Sequence, residues 1–244
     1  MSQPTRRARS RVDTERDIRQ HARQLLVEQG HEAVTLRAIA RGLGITAPAL
    51  YRYYSSRAAL IEQLRLDICT DLADEMAADL HAVPESDTVE QVRAACRAFR
   101  RWSLSHPREF VLFFASLDND VDPVGPLGPQ DWPADGFGQI FLTLAGKVLA
   151  RHDIITLADE DVPAQLRADL TGFRDSLLVT IADSGVELTV DALGIGTAYR
   201  IWQFWVRLYG HVALEVFGRF PYAMSAPEAL FEATLSDLMR DIGL

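Results

Sequence analysis

Apolar positions along this chain recur at helical spacing almost from end to end. Ile18, Ala22, Leu25 and Leu26 form one stripe, which predicts a helix from Thr14 to Gln29 with Thr14-x-x-Asp17 as a capping box and Gly30 as its stop. Leu36, Ile39, Ala40 and Leu43 repeat the pattern after Thr35, a residue suited to N-capping. Gly44 tolerates the left-handed conformation that ends a helix. Thr46 then caps a second short helix, Pro48 sits in its first turn, and Leu50 and Tyr54 continue the buried side. Ser56 opens a long helix whose apolar side runs through Leu60, Ile61, Leu64, Ile68, Leu72, Met76 and Leu80 as far as Val83. At 1.5 Å per residue it spans on the order of 40 Å, enough to belong to two parts of the molecule.

The remainder is helical by the same criterion. Helices are predicted over Thr88–Ser105, Pro107–Leu117, Gly136–His152, Pro163–Ser184 and Val190–Phe217. A last one runs through Ile242, opened by Ser225-x-x-Glu228 with Pro227 inside the box. Asp118 to Asp135 is a long loop rich in Pro, Gly and Asp. No alternating strand pattern or internal repeat interrupts this, so the expected class is all-α. The expected organisation is a basic, disordered arm over residues 1–12, a three-helix helix-turn-helix unit over 13–60, and a larger helical domain over 61–244.

Charge changes the picture. Residues 1–60 carry 11 Arg against 5 Asp and Glu, a net +6, whereas residues 61–244 carry 14 Lys and Arg against 29 Asp and Glu, a net −15. The overall −9 conceals a basic end suited to nucleic acid and an acidic remainder that would repel it. Arg6, Arg7, Arg9 and Arg11 make the first residues either an arm that tracks phosphates or enters a minor groove, or a solvated tail. No apolar run approaches the roughly 20 residues of a membrane span, and no apolar segment follows the Arg-rich start as a signal peptide requires. Two cysteines, Cys69 and Cys96, make neither a disulfide framework nor a metal site; both read as small hydrophobes, and a reducing cytoplasm is the expected home. No HExxH, P-loop, GxGxxG or GxSxG pattern is present, no cofactor is expected, and an enzyme is disfavoured.

The spacing of Gly30, Thr35, Ile39-Ala40, Gly44-Ile45-Thr46, Leu50-Tyr51-x-Tyr53-Tyr54, Arg57 and Leu60 resembles the DNA-binding domain of TetR family transcriptional regulators. Tyr54 stands where that family commonly has Phe, and Arg57 where Lys is usual. Trp205 to Phe220 resembles one ligand-domain subfamily of the same family. The resemblance implies a homodimer on a near-palindromic double-stranded operator, usually a repressor, released by a small molecule in the larger domain. A regulator with no small-molecule effector, governed by a partner protein or by its abundance, is the competing reading.

Residue types then suggest roles at DNA. Thr35, at a helix start, either holds a phosphate or only caps its helix; Arg37 faces outward toward a guanine edge or a phosphate. Thr46, Tyr51, Tyr53 and Arg57 form the phosphate set that the resemblance implies, with Tyr53 alternatively packed. Ala47, Pro48 and Ala49 lead the recognition helix and offer only apolar contact, most simply with thymine methyls; Arg52 adds a second guanidinium.

Aromatic residues concentrate in the larger domain. Trp102, Phe110, Phe113 and Phe114, then Phe137, Phe141 and Phe173, then Trp202, Trp205 and Tyr209 are candidate walls of a ligand cavity, or plain core. Arg174 is a candidate partner for an anionic group, or for an Asp on another helix. The last two helices, about 190–217 and 226–242, are the expected dimer interface, with Leu230, Leu235, Leu238 and Ile242 as an apolar side that serves either the interface or the core.

Overall fold

The computed structural model describes residues 6–115, 136–183, 185, 186, 188 and 193–244, with side chains from Val12 onward. Among the described residues ten α-helices carry the fold: α1 (Arg6–Gln29), α2 (Leu36–Gly42), α3 (Ala47–Leu50), α4 (Arg57–His81), α5 (Thr88–Ser105), α6 (Pro107–Phe110), α7 (Gly136–Arg151), α8 (Arg167–Asp183), α9 (Ile195–Val216) and α10 (Pro227–Asp241). The class is all-α, and no strand occurs among the described residues.

Several boundaries differ from those the sequence pattern predicts, each for a local reason. α1 begins at Arg6, so Thr14 lies inside it and caps nothing, and the basic segment is helical from Arg6; residues 1–5 lie outside the described residues. Arg and Ala are strong helix formers, and a period-based reading that waits for the first apolar residue starts the helix too late. After α6 the chain widens into a π-helical stretch, Val111–Ala115, where a continuous α-helix is expected; residues 116 and 117 and the loop of 118–135 lie outside the described residues. A 3-10 turn, Ala164–Leu166, precedes α8, and residue 184 lies outside the description. α9 begins at Ile195, while 190–192 are outside the description. α10 takes Ala226 as its N-cap without a side-chain bond, so the Ser225 box does not form.

The chain divides into two compact units. The first contains residues up to 69 together with those from 106 to the end of the π-helical stretch; the second contains 70–105 and the described residues from 136 to 244. The expected boundary at residue 61 therefore falls short, and the first unit also recruits α6 from later in the chain.

In the first unit Ile18, Ala22 and Leu26 of α1, Leu36 and Ile39 of α2, Leu50 of α3, and Leu60, Leu64 and Ile68 of α4 make one core. Phe110 of α6 is wholly buried there as well. Two ion pairs fasten α1: Arg19 to Asp67 at 2.6 Å, and Arg23 to Glu109, whose carboxylate is almost fully buried.

In the second unit α5 contributes Val92, Cys96, Phe99 and Trp102, and α10 contributes Phe231, Leu235, Leu238 and Met239. Burial pushes the Cys96 thiol up to about 12, which leaves it protonated and inert. Arg97 grips both oxygens of Glu232 at 2.8 and 2.9 Å, and Arg100 does the same to Glu215 at 2.8 and 2.6 Å while lying over the Phe231 ring. These bonds tie α5 to α10 and α9. Leu142, Leu177, Ile181, Leu193 and Ala198 close a further cluster between α7, α8 and α9.

The start of α9 depends on a missing side chain. A Cβ at Gly196 would lie 1.7 Å from the backbone oxygen of Leu157, and the Gly196 N–H donates to Asp159 Oδ1 at 2.8 Å. The obstacle is backbone and cannot swing aside. Gly196→Ala should therefore destabilise the protein by about 1–3 kcal/mol or more, read as a lower midpoint in urea unfolding followed by tryptophan fluorescence; an unchanged midpoint would show that the 157–159 segment yields freely.

Candidate nucleic-acid interface

Two capped helices and the turn between them build the site. The Thr35 hydroxyl accepts from the Ala38 N–H at 3.1 Å, and the Thr46 hydroxyl accepts from the Ala49 N–H at 3.3 Å. Between them the chain closes α2 as a Schellman motif: the Ile45 N–H reaches the Ala40 carbonyl at 3.0 Å, the Gly44 N–H reaches that of Arg41 at 3.3 Å, and Gly44 takes φ +66°. α3 has only one turn of regular helix, and its chain continues as turns whose N–H groups at Tyr53 and Tyr54 return to the Leu50 carbonyl.

Burial sorts the predicted residues. Leu50 is wholly buried and Tyr54 nearly so, which fixes the inner side. Thr35, Arg37, Thr46, Pro48, Tyr51 and Arg52 are exposed, and Ala47, Ala49 and Tyr53 are half-buried. The exposed set shares the surface opposite the core, and its side chains offer hydroxyls, guanidinium groups and a phenol. Arg41, exposed and one turn after Arg37 on α2, joins it; its i+4 spacing from Arg37 is the signal that identifies it.

Arg57 is placed differently from the expected phosphate role. Its Nε donates to the Val34 carbonyl at 2.8 Å, and its Nη2 donates to the His31 carbonyl at 3.1 Å and meets the His31 ring. The guanidinium thus braces the connector between α1 and α2: it gives the Val34 carbonyl a partner and adds a second donor to the His31 carbonyl, which also accepts from the Val34 N–H at 3.1 Å.

A family model described as "Bacterial regulatory proteins, tetR family" matches residues 18–64, and one described as "Tetracyclin repressor-like, C-terminal domain" matches residues 92–238, more than half of the chain. The chain belongs to the TetR family. HTH-type transcriptional regulators of Mycobacterium tuberculosis and Mycobacterium bovis are each 28% identical over 233 residues, covering 93% of this chain and 92% of theirs. Among solved structures, the regulatory protein SCO4313 is 25% identical with a TM-score of 0.63, over 98% of this chain and 100% of that one. A protein of unknown function from Rhodococcus sp. RHA1 shares the fold, with 13% identity and a TM-score of 0.54 over 94% of this chain and 95% of its own. This TetR family member is thus a DNA-binding transcriptional regulator and not an enzyme.

The candidate ligand residues of this TetR family member do not assemble into one cavity. Phe110, Phe113 and Phe114 belong to the first unit, where their rings stack at 4.6–4.9 Å. In the second unit Phe137 is buried among Phe99, Phe141 and Trp205 at centroid distances of 5.3–5.6 Å, and Tyr209 extends the stack. Trp102 is wholly buried. Phe173 meets Trp202 edge to face, and Arg174 pairs with its neighbour Asp175. Aromatic faces and edges attract one another, so rings at helical spacing fill space rather than enclose it.

Of these residues only Phe141 and Trp205 line the apolar cavity of the second unit, a space of about 90 Å³ between α7 and α9 whose wall also includes Ile201 and Arg200. The Arg200 Nε is buried there without a hydrogen-bond partner among the described residues. Arg200 is absent from the residues the sequence pattern selects, although it is one of two Arg in the otherwise apolar run of α9.

The bonds of Arg57 yield a test. Arg57→Ala strands the Val34 carbonyl and removes one of the two donors to that of His31, and should lower stability by about 1–3 kcal/mol, seen as a fall in melting temperature. The dependence of DNA affinity on salt should keep its slope, because no phosphate contact is lost. A slope reduced by about one, with unchanged melting, would return Arg57 to the phosphate set.

Proposed function

We propose that the protein is a homodimeric repressor of a near-palindromic operator, released when a small apolar molecule enters the second unit. One observation carries the dimer. α9 turns Trp202, Val206 and Phe217 outward, 47%, 53% and 41% exposed, on a face that also holds Gly210 with open space beside it. Val179 of α8 is 63% exposed in the same unit. By contrast Leu235 and Leu238 of α10 are spent inside the protomer, so the interface we assign uses α9 with α8, and α10 supports it from within. A second copy is the occupant, because a two-fold pair is what presents two recognition helices one DNA turn apart or a multiple of it.

At the operator we assign Thr35, Thr46, Tyr51 and Tyr53 to phosphates, Arg37 and Arg52 to guanine edges, and Ala47, Pro48 and Ala49 to thymine methyls. Exposure of the polar members and their placement around two capped helix starts support this. Arg57 becomes a brace rather than a contact. The apolar lining beside Phe141 and Trp205 supports an apolar effector. At about 90 Å³ the cavity is smaller than the few hundred Å³ of small-molecule sites, so an effector would part α7 from α9, and that displacement is what release would use.

Footprinting upstream DNA supplies the operator for the decisive measurements. Val206→Glu places a charge in the assigned interface and should give a monomer by sedimentation that has lost operator affinity; a variant that stays dimeric sinks the α9 assignment. Arg37→Ala should weaken specific binding by about 1–3 kcal/mol and random-sequence binding much less; equal losses remove Arg37 from the base-reading set. An operator that no ligand-sized apolar compound releases would favour control by a partner protein or by abundance.

A further inference from the structure

We propose that the second unit holds a separate site for a small monocarboxylic acid carrying a hydrogen-bond donor, in the polar pocket between the end of α4, the start of α5 and α7. The pocket measures about 390 Å³, within the few-hundred range of small-molecule sites and several times the apolar cavity. Leu80 and Ile140 give it an apolar side, while Gln91, Gln139, Thr143 and Lys147 line the rest.

Gln91 decides the chemistry. It is only 4% exposed, and its Oε1 is buried without a hydrogen-bond partner among the described residues. A buried acceptor left unpaired costs stability, and Gln91 is one of the residues that line the pocket. Gln139, Thr143 and Lys147 follow at intervals of four on α7, so their side chains rise along one face. Leu142 and Val148 of the same helix face the apolar cavity instead, and Leu144 alone lines both spaces.

Lys147 is the one lysine of the chain, is half-buried, and has no ion-pair partner among the described residues. One turn on, Arg151 donates to the Glu85 carbonyl at 2.6 Å and to Thr88 Oγ1 at 2.9 Å. Glu85 and His81 stand exposed at the rim. Lys147 is the one Lys or Arg of the lining, so the pocket offers a single ammonium to a single carboxylate. A carboxylate on Lys147, an apolar middle against Leu80 and Ile140, and a hydroxyl donating to Gln91 match the cation, the apolar side and the unpaired acceptor of the pocket.

The inference rests on the ligand-responsive reading only for the step from binding to DNA release, and the experiment separates the two. Calorimetry on the full chain would use 4-hydroxybenzoate and 3-hydroxybutyrate, with benzoate lacking the donor and methyl 4-hydroxybenzoate lacking the charge. Saturable binding of at least one hydroxy acid is expected, weakened about tenfold or more when the donor, the charge, Gln91 (as Gln91→Leu) or Lys147 (as Lys147→Met) is removed. Gln91→Leu should also melt at or above the wild-type temperature without ligand, since it removes an unpaired acceptor. Failure of both acids to bind, binding indifferent to the two variants, or a clearly lower melting temperature for Gln91→Leu would overturn the site. Anisotropy of labelled operator DNA then reads coupling: binding without release upholds the site and overturns its part in repression.

Discussion

A recognition helix of four residues cannot hold itself. One turn of helix in water lies far below the length at which an isolated helix persists, so α3 owes its place to what it is fastened to. Leu50 is fully buried in the first unit, Tyr54 follows it inward, and Arg19 of α1 pairs with Asp67 of α4. Arg57 closes the other side by occupying the carbonyls of the connector before α2. Rigidity at the outward face is therefore supplied from the inward one. That division explains why the start of α3 can be as chemically plain as Ala47, Pro48 and Ala49 without loss of structure.

What could be read in the sequence was local. The Thr35 and Thr46 caps, the Gly44 turn and the inward sides of α2 and α4 each depend on residues within one or two turns, and all form as the spacing predicts. Features set by partners distant in sequence were not legible. Arg57 is a reasonable phosphate ligand until His31 and Val34 are seen beside it, and α6 is one helix among many until Glu109 is seen buried against Arg23. The capping boxes at Thr14 and Ser225 failed for a related reason. Such a box marks where a helix is permitted to start, and neither Arg6–Asp13 nor Ala226 needed that help.

The aromatic residues show the same limit in sharper form. Composition leaves a ring-lined cavity or plain core open, and the two have identical periodicity. Phe99, Phe137, Phe141 and Trp205 pack on one another at 5.3–5.7 Å, and what remains open between α7 and α9 is small. The roomier space lies on the other face of α7, where polar residues at intervals of four keep side chains from closing the gap.

Packing density gives the reason. Apolar surfaces approach until little space is left between them, whereas Gln91, Thr143 and Lys147 bury less readily and leave room that a matching ligand can fill. The single turn at Leu144, lining both spaces, couples their occupancy in one helix: a molecule that shifts α7 toward one space must change the other. Two ligands of opposite character, one apolar and one acidic, would then compete through α7 without touching. Such competition follows from linkage alone once each prefers a different position of the same helix.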